Sequence, residues 1–340
     1  TVQVRLDATL TRQLLQQAPA AYRTQINDLL MTALARTLVA WTGDDHALVQ
    51  LEGHGREALF DDIDLTRTVG WFSSMFSLCL TPAAELGASI KQVKEQLRAI
   101  PHRGVGFGAL RYYGEPQVRA LLAALPQPRV TFNYLGQFDG SFAVDDGALF
   151  TPANESAGAE QGEDAPLGNW LTVNGQLYGG ELSLNWIFSR AQFAPDEIQA
   201  LAERYIEQLG ALVRHCVELP VRGATPSDFP LCGLDQAQLE RFPGLLEQVE
   251  DIYPLSPTQL GMLFHTQESA ANLYINQTSI EVKGLDAEAF IAAWAQVVAR
   301  HEILRTGFWT ASHLAEPLQV VYRQGSLPAR CLDWRERTVE

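Results

Sequence analysis

The sequence predicts an α/β fold, because segments of helical period alternate with segments of strand period along its length. Ile26, Leu29, Leu30, Ala33, Leu34, Leu38 and Trp41 recur at helical spacing, and Gly43 stands where a helix would stop. Val2, Val4 and Leu6, and later Leu182, Leu184, Trp186 and Phe188, alternate as strand residues do.

The 340 residues are 46% hydrophobic and 19% charged, enough apolar material for one large core or two smaller ones. Forty acidic against twenty-five basic residues give a net charge of -15, and the lysines number three, Lys91, Lys94 and Lys283. No basic patch exists to neutralise phosphates, so nucleic acid is not an expected partner. Cys79, Cys216, Cys232 and Cys331 are widely spaced. That spacing suits neither a zinc site nor a disulfide framework and fits a reducing, cytoplasmic setting. The longest apolar runs fall short of the roughly 20 residues a membrane span needs, so no membrane association is expected. The chain begins without Met in patterned sequence, as a piece cut from something longer would.

Further elements follow in order. Leu48–Leu51 reads as a short strand entering a Gly-rich turn, and a helix is expected over about 84–100, stopped by Pro101. Val130–Leu135 reads as a strand. Residues 139–168 hold seven acidic residues and no Lys or Arg among many Gly, Ala and Pro, and are expected to form an exposed loop. After Pro195 a helix presents Ile198, Leu201, Tyr205, Leu209, Leu212 and Val213 on one face, with Asp196 and Glu197 at its dipole-favoured start. Pro and Gly crowd residues 220–250, which are expected to be a linker between two domains. Ser256-Pro257-Thr258-Gln259 then reads as a capping box. A strand near 277–282 and a helix from Asp286, with Phe290, Trp294, Val297 and Val298 inward, complete the pattern.

The string most open to chemistry is Glu52-Gly53-His54-Gly55-Arg56-Glu57, directly after a strand. Paired glycines let backbone approach a ligand and set polar side chains at a strand end. The phosphate-loop patterns GKS, GKT and GxGxxG are absent. Three other segments accompany the string: Thr24-Gln25-Ile26-Asn27-Asp28-Leu29-Leu30, Arg67-Thr68-Val69-Gly70-Trp71-Phe72 and Phe132-Asn133-Tyr134-Leu135-Gly136. Taken in order, the four closely resemble epimerization domains of nonribosomal peptide synthetases over residues 1–219. Tyr253-Pro254-Leu255-Ser256-Pro257-Thr258-Gln259 and Arg300-His301-Glu302-Ile303-Leu304-Arg305-Thr306-Gly307-Phe308 resemble the opening of a condensation domain, covering 251–340.

The resemblance implies chloramphenicol-acetyltransferase-like α/β lobes enclosing a tunnel. Residues 1–219 would be the C-terminal lobe of one domain, and 251–340 part of the N-terminal lobe of the next. It implies no directly bound cofactor and no metal. The substrate would arrive on the phosphopantetheine of a carrier protein, with other synthetase modules as partners. Epimerization removes the α-proton of a thioester-bound residue and returns one to the opposite face, which needs acid/base groups on both sides and a means of stabilising the enolate. The resemblance gives Glu52 the acid/base role, opposite a histidine of an HHxxxDG motif that these 340 residues do not contain and that is expected upstream of Thr1.

Asn133 and Tyr134 match family positions near the same site. Neighbours on a strand point to opposite faces, so without a bulge one of the two reaches the tunnel. Gly53, His54, Gly55, Arg56 and Trp71 are expected to shape the site. His54 reads first as a turn residue, Arg56 and Glu57 as residues that orient the turn, and Trp71, Phe72 and Trp186 as core or tunnel wall. The resemblance makes Arg305 the partner of an aspartate in the condensation domain's own HHxxxDG motif, beyond Glu340, with His301 in the same segment. Arg305 stands where HExxH would need its second histidine, which rules out a zinc protease. Two rival readings stay open: a stand-alone acyltransferase of the same fold, whose HxxxD motif is missing, and a non-catalytic module that docks carrier proteins or links domains.

Overall fold

The structure, a computed structural model, describes residues 1–137, 158, 168–268 and 274–333. The acidic segment at 139–168 therefore lies, apart from Gly158 and Gly168, outside the described residues. The chain divides into two units, Thr1–Pro220 and Val221–Glu340.

In the first unit the order is β1 (Val2–Leu6), α1 (Ala8–Gln16), α2 (Pro19–Tyr22), α3 (Ile26–Thr42), β2 (Ala47–Gly53) and β3 (Ser74–Leu80). Then come α4 (Leu86–Arg98), α5 (Gly106–Tyr113), α6 (Pro116–Ala124), β4 (Val130–Gln137), β5 (Leu171–Tyr178), β6 (Glu181–Phe188) and α7 (Pro195–Glu218). Six strands form one mixed sheet in the order β1-β6-β5-β4-β2-β3. The β2–β4 and β4–β5 pairings are parallel and the others antiparallel.

Local chemistry accounts for the principal helices. Gln25 and Asp28 close a capping box at the start of α3, and Gly43 ends it at φ +79°, a left-handed conformation that glycine adopts without a Cβ clash. Helix α7 opens with Pro195 at its first turn and Asp196 and Glu197 beside it. Both helices bury their apolar stripes in one core with Phe132, Val173, Leu184 and Trp186 from the sheet. Strand β5 alternates buried and half-buried along its length, so one sheet face carries the core while the other carries polar side chains.

The second unit holds α8 (Gln236–Leu239), β7 (Val249–Pro254), α9 (Pro257–Glu268), α10 (Ala287–Arg300), β8 (Thr306–Trp309) and β9 (Leu318–Tyr322). Its three-stranded antiparallel sheet has the order β7-β9-β8. Ser256 and Gln259 exchange the two capping-box bonds at the start of α9, at 2.8 and 3.3 Å.

Two expectations need correction here. Residues 220–250 are interrupted by Pro and Gly, but they are not an unpacked connector. Ala224, Phe229, Cys232, Leu239, Phe242 and Val249 are buried in one cluster with Trp309 and Leu318. Phe242 meets Trp309 edge to face at 5.2 Å. Short capped turns at Thr225–Asp228 and Asp235–Gln238 satisfy the backbone without a long element. Residues 277–282 form no strand: β9 lies between β7 and β8, and Ile280 and Val282 are exposed. Alternation alone does not make a strand, because strand preference depends on packing against neighbours and these side chains stay exposed. On α10, Val298 is buried whereas Phe290, Trp294 and Val297 are exposed.

The four cysteines are free thiols, Cys79 and Cys331 exposed and Cys216 and Cys232 buried. Burial pushes the Cys216 thiol up to about 12, so it stays protonated well above neutrality. Alkylation with N-ethylmaleimide is expected to label Cys79 and Cys331 first. The labelling is followed over about pH 7 to 9. Cys216 should stay unlabelled across that range until the protein is unfolded, which peptide mass mapping would check.

Candidate functional site

Glu52 is the penultimate residue of β2 and pairs across the sheet with Met75 of β3. On its other side β2 runs parallel to β4, with Val49, Gln50 and Leu51 opposite Val130, Thr131 and Phe132. One step further along both strands brings Glu52 level with Asn133. Val49, Val130 and Phe132 point into the core, and the Gln50 and Thr131 side chains meet on the opposite face, 3.2 Å apart. By alternation Glu52 and Asn133 share that polar face. Both are half-buried, and neither side chain has a hydrogen bond among the described residues.

Tyr134 takes the other side. It packs against the core, and burial raises the pKa of its phenol. The shift in β4 register comes after Tyr134, too late to turn its ring toward Glu52. The pair brought together is thus Glu52 with Asn133, and Tyr134 backs it from beneath.

The turn after Glu52 is tied down by its own side chains. The backbone N–H of Arg56 donates to His54 Nδ1 at 3.0 Å, so the ring proton sits on Nε2, which donates to Glu57 at 3.1 Å. Both ring nitrogens are engaged, which leaves His54 as a brace of the turn. Glu57 also holds Arg103 at 3.5 Å. Arg56 donates to the carbonyls of Leu65 and Gly70 at 3.0 and 3.1 Å and lies over the Phe72 ring at 4.3 Å. Trp71, expected as core or tunnel wall together with Phe72 and Trp186, is 89% exposed, whereas Trp186 is fully buried.

Gly55 is required where it stands. Its φ is +65°, and a Cβ there would lie 1.7 Å from the Phe72 carbonyl oxygen. Gly55→Ala is expected to cost about 1 to 2 kcal/mol from the left-handed backbone alone. It should also release the 65–72 strap, seen as faster hydrogen exchange there with α3 and β4 unchanged.

One contributor escaped the sequence reading. The turn Pro101–Gly104 abuts the site, its Arg103 carbonyl near Gly53 and Gly104 closed against the Phe76 ring. His102 and Arg103 both hold positive φ, of 47° and 51°. The available signal was the glycine spacing of Gly104-Val105-Gly106-Phe107-Gly108.

In the second unit Arg305 is buried, with 8% of its side chain exposed. It reaches Glu250, the Tyr322 carbonyl and, at 3.8 Å, Glu302. Glu250 and Glu302 are 41% and 62% exposed, and Arg305 Nε is buried without a hydrogen bond. His301 caps the end of α10 through its backbone N–H. Among the described residues no cluster of His, Cys, Asp or Glu could hold a metal, and no helix is long and apolar enough to cross a membrane.

Fold and site together define an α/β protein with chloramphenicol-acetyltransferase-like lobe architecture and a carboxylate-bearing polar sheet face. The sequence profile of the condensation domain matches residues 1–228 and 249–340. The chain belongs to the condensation-domain family of nonribosomal peptide synthetases. It is 43% identical to a linear gramicidin synthase polypeptide of Brevibacillus parabrevis over 99% of its own length and 7% of that protein's. A second polypeptide of the same synthase is 44% identical over 99% of this chain and 4% of its own length. The chain thus spans a small fraction of these relatives. Among solved structures, the epimerization domain from the third module of tyrocidine synthetase B superposes with a TM-score of 0.58 and 34% identity, over 64% of this chain and 48% of that one.

Proposed function

We propose that the first unit is the C-terminal lobe of an epimerization domain and that the second opens the condensation domain after it. The parent enzyme would invert the α-carbon of an aminoacyl or peptidyl thioester held on a carrier protein and pass it to the next condensation site. The observation that carries this reading is the level pairing of Glu52 with Asn133 on an open polar face. The similarity to an epimerization domain at 34% identity supports it.

Glu52 would exchange the α-proton on one side of the carbon, and the family's histidine, on the other lobe, would serve the opposite side. Asn133 would donate from its amide to the thioester oxygen as enolate charge develops. The Gly53–Glu57 turn, braced by His54, Arg56 and Arg103, would hold Glu52 at the strand end. Tyr134, facing the core, would position β4 from behind. In the second unit, the buried Arg305 with its free Nε and exposed carboxylate partners suits an arginine awaiting a further acceptor. Expected partners are carrier proteins and neighbouring synthetase modules.

The test is deuterium wash-in at the α-carbon of a carrier-bound substrate by the complete enzyme. Exchange supports epimerization. Peptide-bond formation without exchange would assign the first unit to condensation, and carrier binding without either would make it a docking module.

A further inference from the structure

Glu52 and Asn133 stand on different strands, and the junction between those strands is the shortest of the six-stranded sheet among the described residues. β2 and β4 pair through three residues on each, 49–51 and 130–132, against seven on each between β2 and β3 and eight between β5 and β6. The β2–β4 ladder ends at Leu51 and Phe132, one residue short of Glu52 and Asn133. Backbone pairing between the two strands thus stops before the two side chains whose separation matters most.

One row below them, side chains tie the strands instead. Gln50 and Thr131 are cross-strand neighbours, two residues before Glu52 and Asn133 and on the same face. The Thr131 hydroxyl donates to Gln50 Oε1 at 3.2 Å. The Asn169 amide, just before β5, donates to Gln50 Oε1 at 3.1 Å and to the Thr131 hydroxyl. Turned over together with that of Gln50, the Asn169 amide would give its N–H groups to the Gly168 and Pro128 carbonyls, at 3.1 and 3.2 Å, and its oxygen to Gln50 and Thr131. The three side chains bond one another in either orientation. Thr131 is 6% exposed, whereas Glu52 and Asn133 are half-buried. Asn169 is anchored in turn: the Leu171 N–H donates to the Arg129 carbonyl at 3.2 Å, and the Arg129 guanidinium lies 4.7 Å over the Trp170 ring.

We infer that Gln50, Thr131 and Asn169 are positioning residues: they clasp β2 to β4 and so hold the Glu52 carboxylate at a fixed separation from the Asn133 amide. This rests on the epimerization reading for the reaction that the clasp serves. Side chains on one face of a strand repeat every two residues, about 6.6 Å, so the clasp lies a single row from the pair it fixes. Splaying the short junction at that row moves Glu52 and Asn133 relative to each other, and a misplacement of about 1 Å can cost roughly 10²-fold in rate. Thr131 is the centre of the tie, because its hydroxyl accepts from one amide and donates to the other while its β-branched side chain is stiff at χ1. Thr172, its neighbour in the same row on β5, has no side-chain hydrogen bond among the described residues and supplies the comparison.

The experiment follows α-proton exchange of a carrier-bound substrate, and amide hydrogen exchange of residues 50–53 and 131–134, in the complete enzyme. Thr131→Val keeps the shape and removes the hydroxyl. It is expected to lower kcat by about 10- to 100-fold with KM within about 2-fold, and to speed amide exchange at both strand ends. Thr131→Ser restores the hydroxyl and should recover kcat to within about 3-fold of wild type. Asn169→Ala, a milder change at a half-buried position, should lower kcat by about 3- to 10-fold, the worth of one lost hydrogen bond. Thr172→Val makes the same change on the neighbouring strand and should leave both readouts where they were. In the Glu52→Gln background Thr131→Val should lower the rate no further, because no carboxylate remains to be positioned. Loosened strands with unchanged kcat, equal effects at Thr131 and Thr172, or an undiminished Thr131→Val loss in the Glu52→Gln background would each overturn the clasp. A wild-type enzyme without α-proton exchange discards the epimerization reading, and the clasp then stands or falls on the amide exchange of the two strands.

Discussion

Glu52→Gln in the complete enzyme is expected to lower α-proton exchange by about 10²- to 10⁴-fold, the usual contribution of a positioned acid/base group. The substitution keeps the side-chain volume and removes the proton-accepting carboxylate. Glu52 makes no side-chain hydrogen bond among the described residues, and its strand pairing with Met75 is through backbone. The fold should therefore be retained, with unfolding midpoints within the small range typical of surface substitutions. Asn133→Ala should also depress exchange, by about 10²- to 10³-fold if its amide faces the developing enolate oxygen. The 340-residue chain by itself should show no exchange, since its sequence lacks the HHxxxDG motif. Full exchange by the Gln variant would remove Glu52 from the chemistry. Exchange by the isolated chain would show that the opposing histidine is dispensable.

Much of the scaffold beneath that glutamate is legible from sequence because its signals are local. The helical period of Ile26 to Trp41, the Gln25/Asp28 box and Gly43 bound α3 within its own residues. Strand alternation separates Asn133 from Tyr134, but only the register of β2 against β4 tells which of the two joins Glu52. Register is a property of pairs of strands far apart in sequence. The same limit explains the two corrections. Ile280 and Val282 alternate correctly, yet both are exposed and their segment is not part of the β7-β9-β8 sheet. Phe229, Leu239 and Phe242 sit among breakers that suggest a linker, and their burial depends on Trp309 and Leu318, about seventy or more residues later.

The largest expected loss of stability lies behind the site, at Asp28 and Arg98. Arg98 bonds both carboxylate oxygens of Asp28, at 3.0 and 2.7 Å, and one of those oxygens also accepts from the Gln25 N–H at 2.7 Å. The Asp28 side chain is 1% exposed and that of Arg98 31%. Breaking a fully buried pair by removing one partner costs about 3 to 5 kcal/mol, because the remaining charge is stranded. The two partners differ here. Arg98→Met leaves the carboxylate buried with a single backbone donor and is expected to cost about 2 to 4 kcal/mol, discounted for the partial exposure of the pair. Asp28→Asn leaves a guanidinium that can turn to water and keeps an oxygen for the cap, so about 1 to 2 kcal/mol is expected. The double variant should cost less than the sum, since the second change removes the charge that the first one stranded. Urea rather than guanidinium chloride is the denaturant to use, because added salt screens ion pairs. Hydrogen exchange in α3 isolates the first unit's response. The consequence reaches Glu52 through the chain: Arg98 ends α4, and the Pro101–Gly104 turn that supports Gly53 begins three residues later. Arg98→Met should therefore loosen exchange protection at Gly53–Glu57 as well as in α3. Additive costs for the double variant, or an Asp28→Asn loss equal to that of Arg98→Met, would show that the pair contributes packing and not a stranded charge.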